Sequence, residues 1–188
     1  MFASPFAMVD TSDHPTERRA ETAMRGLGEA IRHGYRNELE AEIIVSLVKG
    51  LERQYRDWAV IVPFNAQKEL VIERLTASMG ASSRIADNVG SVDSFQGGER
   101  DLIIFGFTRS NTQGEIGFLK ELRRFNVAIT RAKQQLVLVG DLSTLHRAKN
   151  KAFRDVMHAL SDHLARAGDR RPSQQVTAAL DSMTGELS

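Results

Sequence analysis

Apolar residues along this chain fall into two alternating patterns. Short unbroken runs, FAMVDT from Phe6, WAVIVP from Trp58, NVGSV from Asn88, DLIIFGF from Asp101 and QLVLVGD from Gln135, read as buried strands. Between them, apolar positions recur at three and four. Leu39, Ile43, Leu47 and Leu51 predict an amphipathic helix from about 38 to 54, entered through Asn37 with Glu40 three residues on as a capping box. Pro63 ends the second strand, and Asn65 can cap a helix whose apolar face is Leu70, Val71 and Leu75, with Gly80 at its end. A helix is expected over about 120–133. Helical spacing returns from Leu142 to about Ala167, with an interruption at KNK. After Gly168 the sequence turns polar, with one weak apolar turn. Residues 1–167 are therefore expected to form the domain and 168–188 a tail, frayed or a docking segment.

Strands that are apolar throughout, alternating with helices, predict an α/β fold: a mainly parallel sheet with helices on both faces. Ligands on such sheets sit beyond the carboxyl ends of the strands. The segments SVDSFQGGE and TRSN both leave strand ends, where a site is expected. At 188 residues, 41% hydrophobic and 26% charged, the chain is ordinary for one globular domain. It has no cysteine, which removes disulfide and thiolate metal chemistry and fits a reducing, intracellular (cytoplasmic) setting. The longest apolar runs are too short to cross a bilayer, so no membrane partner is expected. A net charge of +1 means that any nucleic-acid contact depends on local placement of charge. His14, His33, His146, His158 and His163 show no ligand spacing, and no metal site is expected.

Two segments invite chemistry. In SFQGGERD, Gly97 and Gly98 permit a tight turn and close approach to a ligand. Gln96 offers a donor and an acceptor, and Glu99 a carboxylate able to accept from a sugar hydroxyl. A plain inter-strand turn is the competing account. In LRRFNVAITRAK, helical spacing puts Leu122, Phe125, Ile129 and Ala132 on a core face, and Arg124, Ala128 and Arg131 on a second. Arg123 and Arg124 stand in the first turn, where the helix dipole disfavours cations, so a bound anion, an acidic neighbour or a partner is needed beside them. Ser91, Thr108, Arg109 and Asn111 can hold nucleic-acid phosphates or simply make turns. Phe64 can stack on a base or fill the core. No GxxxxGK[ST] segment occurs, and no acidic pair placed for magnesium follows a strand.

WAVIVPFNAQKEL, VGSVDSFQGGERDLIIFGFTRSN and EIGFLKELRRFNVAITRAKQQLVLVGD resemble motifs IV, V and VI of superfamily 1 helicases, in the group of the nonsense-mediated-decay RNA helicase and its DNA-acting relatives. GYRNELEAEIIVSLV resembles the segment before motif IV, and the resemblance runs from about Phe6 to Leu145. It implies a three-layer RecA-like second motor domain of an ATP-dependent helicase. Two such domains clamp ATP with Mg2+, and single-stranded nucleic acid runs across them. By motif position Arg131 is similar to the arginine that reaches the γ-phosphate, and Glu99 to the residue that meets the ribose. Gln96, Gly97 and Gly98 shape that loop, and Arg124 matches a further motif VI arginine. Ser91 and the TRSN segment fall where nucleic-acid backbone contacts are made. The first motor domain, with its Walker motifs, is expected from the same parent chain or a complementing subunit. The alternative is a non-catalytic RecA-like module that binds nucleic acid or a protein.

Overall fold

The structure, a computed structural model, describes residues 1–24, 34–95, 98–167 and 169–185. In chain order its elements are β1 (Phe6–Asp10), α1 (Thr16–Arg19), β2 (Thr22–Met24), β3 (Gly34–Arg36), α2 (Glu38–Leu51), β4 (Trp58–Ile61), α3 (Asn65–Met79), α4 (Ser83–Asn88) and β5 (Val89–Gly90). They continue with β6 (Arg100–Gly106), α5 (Leu122–Ile129), β7 (Ala132–Gly140), α6 (Leu142–Leu145), α7 (Lys151–Ala167), β8 (Arg170–Pro172) and α8 (Ser173–Gly185). Six strands form one sheet in the order β5-β4-β6-β7-β1-β8, parallel at every ladder. The short strands β2 and β3 pair antiparallel, apart from it.

Alternate residues of the central strands serve opposite faces. Val60, Leu102, Ile104, Val137 and Val139 pack with α2, α3 and α8. Ala59, Ile61, Ile103, Phe105, Leu136 and Leu138 pack with α5 and α7. Both faces are covered, which is why these strands carry no polar alternation. The three-layer α/β arrangement expected from the sequence is the one observed.

Several local expectations change. Asn37 caps α2 by accepting from the Glu40 N–H at 3.0 Å. Glu40 does not complete a capping box: the Asn37 N–H donates to Gln67 Oε1 at 2.7 Å, and the Glu40 carboxylate accepts from the Thr108 N–H instead. Asn65 is the first residue of α3, whose cap position is Phe64, and no side chain caps that helix. Gly80 closes α3 with φ of 86°, the left-handed geometry glycine favours. The expected 120–133 helix spans only Leu122–Ile129, because the Arg100–Ala132 pairing draws the chain into the sheet. The expected interruption at KNK separates α6 from α7.

The polar segment after residue 168, expected as a frayed tail or a docking segment, folds back on this same chain. β8 pairs with β1 along Met8–Asp10, and α8 buries Val176 and Leu180 against α2. Their i, i+4 spacing is the weak apolar turn visible in the sequence. Leu180 sits so close to Gly50 that a Cβ there would lie 2.3 Å from its Cδ2. Among the described residues no helix is long and apolar enough to cross a membrane.

Candidate functional site

The loop 91–99 leaves the carboxyl end of β5 and enters β6 at its amino end. Because β4 lies between these two parallel strands, the loop must traverse the full depth of the sheet. Phe95, 5% exposed, anchors it in the core shared with α5. Gln96 and Gly97 lie outside the described residues. The Gly98 N–H donates to the Phe95 carbonyl at 3.1 Å, and a Cβ at Gly98 would make only ordinary contact, 3.5 Å from an Arg100 nitrogen. Glu99 is exposed and has no ion-pair partner among the described residues.

Arg131 lies beyond the end of α5, in the turn before β7. The Arg100 N–H donates to the Arg131 carbonyl at 2.9 Å, and Arg100 pairs with Ala132, so Glu99 and Arg131 are neighbours across two adjacent strands. Arg131 Nε donates to the Val127 carbonyl at 3.1 Å, leaving its two terminal nitrogens without a protein partner among the described residues. This pair stands at the amino ends of β6 and β7, not at the carboxyl ends where a ligand was expected.

The expected second face of α5 is not formed. Ala128 is fully buried in the core and leaves no space for a ligand. Arg124 and Arg131 are at opposite ends of the helix. The acidic neighbours that a first-turn cation calls for are present: Arg124 lies 3.3 Å from Glu121 and 3.8 Å from Asp93.

At the carboxyl ends of β4 and β6 an open groove of about 680 Å³ runs past Tyr35, Pro63, Phe64, Phe118 and Lys120. A smaller hollow beside it takes in Ser91, Asp93 and Arg124. Ser91 is half-buried; its N–H donates to Ser94 Oγ at 3.3 Å. Phe64 is 5% exposed, with its ring edge-on to Tyr35 at 5.5 Å.

The TRSN segment is turned inward. Thr108 is buried with φ of 66°, the only positive φ outside glycine among the described residues, and its N–H reaches Glu40 at 2.7 Å. Arg109 is 4% exposed, paired with Glu21 at 2.9 Å, with its guanidinium 3.8 Å from the centre of the Tyr35 ring. Asn111 donates to Glu21 and to the Glu115 carbonyl. Of these three only Arg109 lines the groove, with Phe64, while Ser91 borders the smaller hollow.

Burial pushes the Glu40 carboxyl up to about 8 against hydrogen bonds from Thr108 and Gln67. Burial also raises Glu21, against the pull of Arg109. Sequence reasoning missed Glu21, Glu40, Tyr35 and Phe118. For Glu40 the signal was a charged residue on the apolar side of a helix; for Phe118, an aromatic between Gly117 and Lys120 outside any apolar run.

A mainly parallel six-stranded sheet with helices on both faces is the architecture of a three-layer RecA-like α/β domain. A family model described as an AAA domain matches residues 2–143, more than half of the chain, and the chain belongs to that family as the C-terminal RecA-like domain of a superfamily 1 helicase. It is 44% identical over 112 residues to DNA polymerase alpha-associated DNA helicase A of Schizosaccharomyces pombe, covering 58% of this chain and 16% of that protein. Against DNA-binding protein SMUBP-2 of Rattus norvegicus it is 38% identical over 118 residues, 63% of this chain and 11% of the relative. Against Regulator of nonsense transcripts 1 of Caenorhabditis elegans it is 39% identical over 132 residues, 68% and 12% respectively. The chain therefore spans about a sixth or less of the length of these relatives.

Proposed function

We propose that this domain is the second motor half of an ATP-dependent DNA or RNA helicase. In this reading its amino edge completes an ATP site formed with a first RecA-like domain, from the same polypeptide or a complementing subunit. Its carboxyl edge is part of a single-stranded nucleic-acid track. The observation that carries the reading is the adjacency of Glu99 and Arg131, fixed by the Arg100–Arg131 backbone hydrogen bond.

The residues present suit one side of a nucleotide. Glu99 is exposed and can accept from a ribose hydroxyl, and Arg131 offers two terminal nitrogens, unpartnered among the described residues, in a planar fork suited to a phosphate. Gln96, Gly97 and Gly98 belong to the same loop. ATP with Mg2+ would supply the phosphoanhydride chemistry; among the described residues no acidic or histidine cluster could hold a metal, so the magnesium ligands in this reading come from the first domain. Arg124, at the far end of α5, has no part in this nucleotide edge.

A guanidinium that meets charge growing in the transition state acts on turnover more than on ground-state affinity. In a helicase polypeptide carrying both motor domains, Arg131→Ala is expected to slow ATP hydrolysis by about 10³–10⁵ while nucleotide affinity holds. Arg131→Lys should rescue poorly, because it keeps the charge and loses the fork. The Arg131–Val127 hydrogen bond also ties down the end of α5, so thermal melting is measured on the same preparations. Near-normal single-turnover hydrolysis by folded Arg131→Ala would remove this residue from the chemistry.

A further inference from the structure

We infer that Phe118 is the surface on which an unpaired base of single-stranded nucleic acid stacks. The inference rests on the nucleic-acid part of the proposed function and names its point of contact. Phe118 is 57% exposed, whereas Phe64, Phe105, Phe107 and Phe125 are each 5% exposed or less. Its outward position is built, not slack. Ile116 and Leu119 on either side are each 4% exposed and lie in the core, and they clamp the short turn Gly117–Lys120. Gly117 takes φ of 57°, and a Cβ there would come within 3.0 Å of an Arg109 nitrogen, so the turn is pressed tightly on the groove wall.

Behind Phe118 the aromatic rings continue inward. Its ring centre is 6.1 Å from that of Phe64, which meets Tyr35 edge-on, and Tyr35 in turn covers the buried Arg109 guanidinium. The aromatic face is thus backed by a cation that Glu21 holds in place.

One rim cation is open to a backbone phosphate. Glu115 is paired with Lys149, and Arg124 is shared by Glu121 and Asp93, while Lys120 has no ion-pair partner among the described residues. A lone exposed ring is also far too small for a stable protein interface, which needs on the order of 1,000 Å². One base fits it, and stacking tolerates any base, because every base has a π-face.

The test uses the 188-residue chain and labelled single-stranded homopolymer DNA and RNA, with an abasic DNA strand of equal length as control. Binding is followed by anisotropy over a range of salt concentrations. Phe118→Ala is expected to weaken binding about 5- to 100-fold without changing the salt slope. Lys120→Ala is expected to flatten that slope by a little under one. Phe118→Trp should retain affinity, and its emission should be quenched by base-bearing strands and not by the abasic one. Trp58, at 1% exposure, gives a constant background. Melting curves should not move with Phe118→Ala, since its ring supports little of the core. If the wild type binds and Phe118→Ala binds equally well, or if abasic DNA binds as tightly as base-bearing DNA, the inference is overturned and the nucleic-acid reading stands. If the wild type binds no strand even at low salt, that reading fails and the inference goes with it.

Discussion

Glu40 has no route to water, and its two oxygens are committed to the Thr108 N–H and the Gln67 amide. Its ordinary value of 4.5 is raised to about 8 by burial, so the folded chain keeps a proton that the unfolded chain releases. Between these two values the unfolded state binds fewer protons. Stability is therefore highest below about 4.5, declines as pH rises toward about 8, and levels off above it. The expected decline is on the order of a few kcal/mol, read as a falling urea midpoint from acid to alkaline pH. Glu40→Gln should flatten the profile, because the amide does not titrate. It should also lower the acid end, because its NH2 would face that of Gln67, which Asn37 locks in orientation. A variant that declines in parallel with the wild type would place the titration elsewhere.

Among the elements, α8 is where composition misleads most. Its residues are mainly polar, yet Val176 and Leu180 are 3% and 2% exposed on α2. Leu180→Ala is expected to cost about 2–3 kcal/mol, seen as a lower urea midpoint with an unchanged slope. Cutting the chain after residue 167 should cost more, since it also strips the β1 edge. An unaltered midpoint in either protein would mean that the helix rests on α2 without supporting it. The central strands were legible because burial on both faces leaves an unbroken apolar run, and α2 because Leu39, Ile43, Leu47 and Leu51 keep one face. The end of α5 was not, because helical spacing runs on through Arg131 and Ala132 and only pairing with β6 interrupts it. The Glu99–Arg131 neighbourhood depends on that long-range pairing, and helical spacing instead joined Arg131 to Arg124. The burial of Ala128 was equally hidden, since a small residue suits a core and a surface alike.

For the whole molecule, the 188-residue chain alone is expected to give no ATP turnover, with or without single-stranded DNA or RNA. It contains no GxxxxGK[ST] segment, and most of the positioning in NTPases of this fold comes from that segment and the metal it helps to hold. Phosphate release that tracks the protein through purification would contradict this. The seven residues of β6 separate the Glu99–Arg131 edge from the Phe118 groove by roughly 20 Å. At 0.1 M salt that is about two Debye lengths, so a change of charge at one end is nearly invisible at the other. Whatever the two ends say to each other has to be carried as displacement. Phe95, Phe105 and Phe125 pack together between the sheet and α5; Arg100 holds the Arg131 carbonyl near one end of that packing, and Arg124 lies 3.8 Å from Asp93 near the other. A displacement carried through that packing should be deaf to ionic strength and sensitive to any cavity carved among Phe95, Phe105 and Phe125.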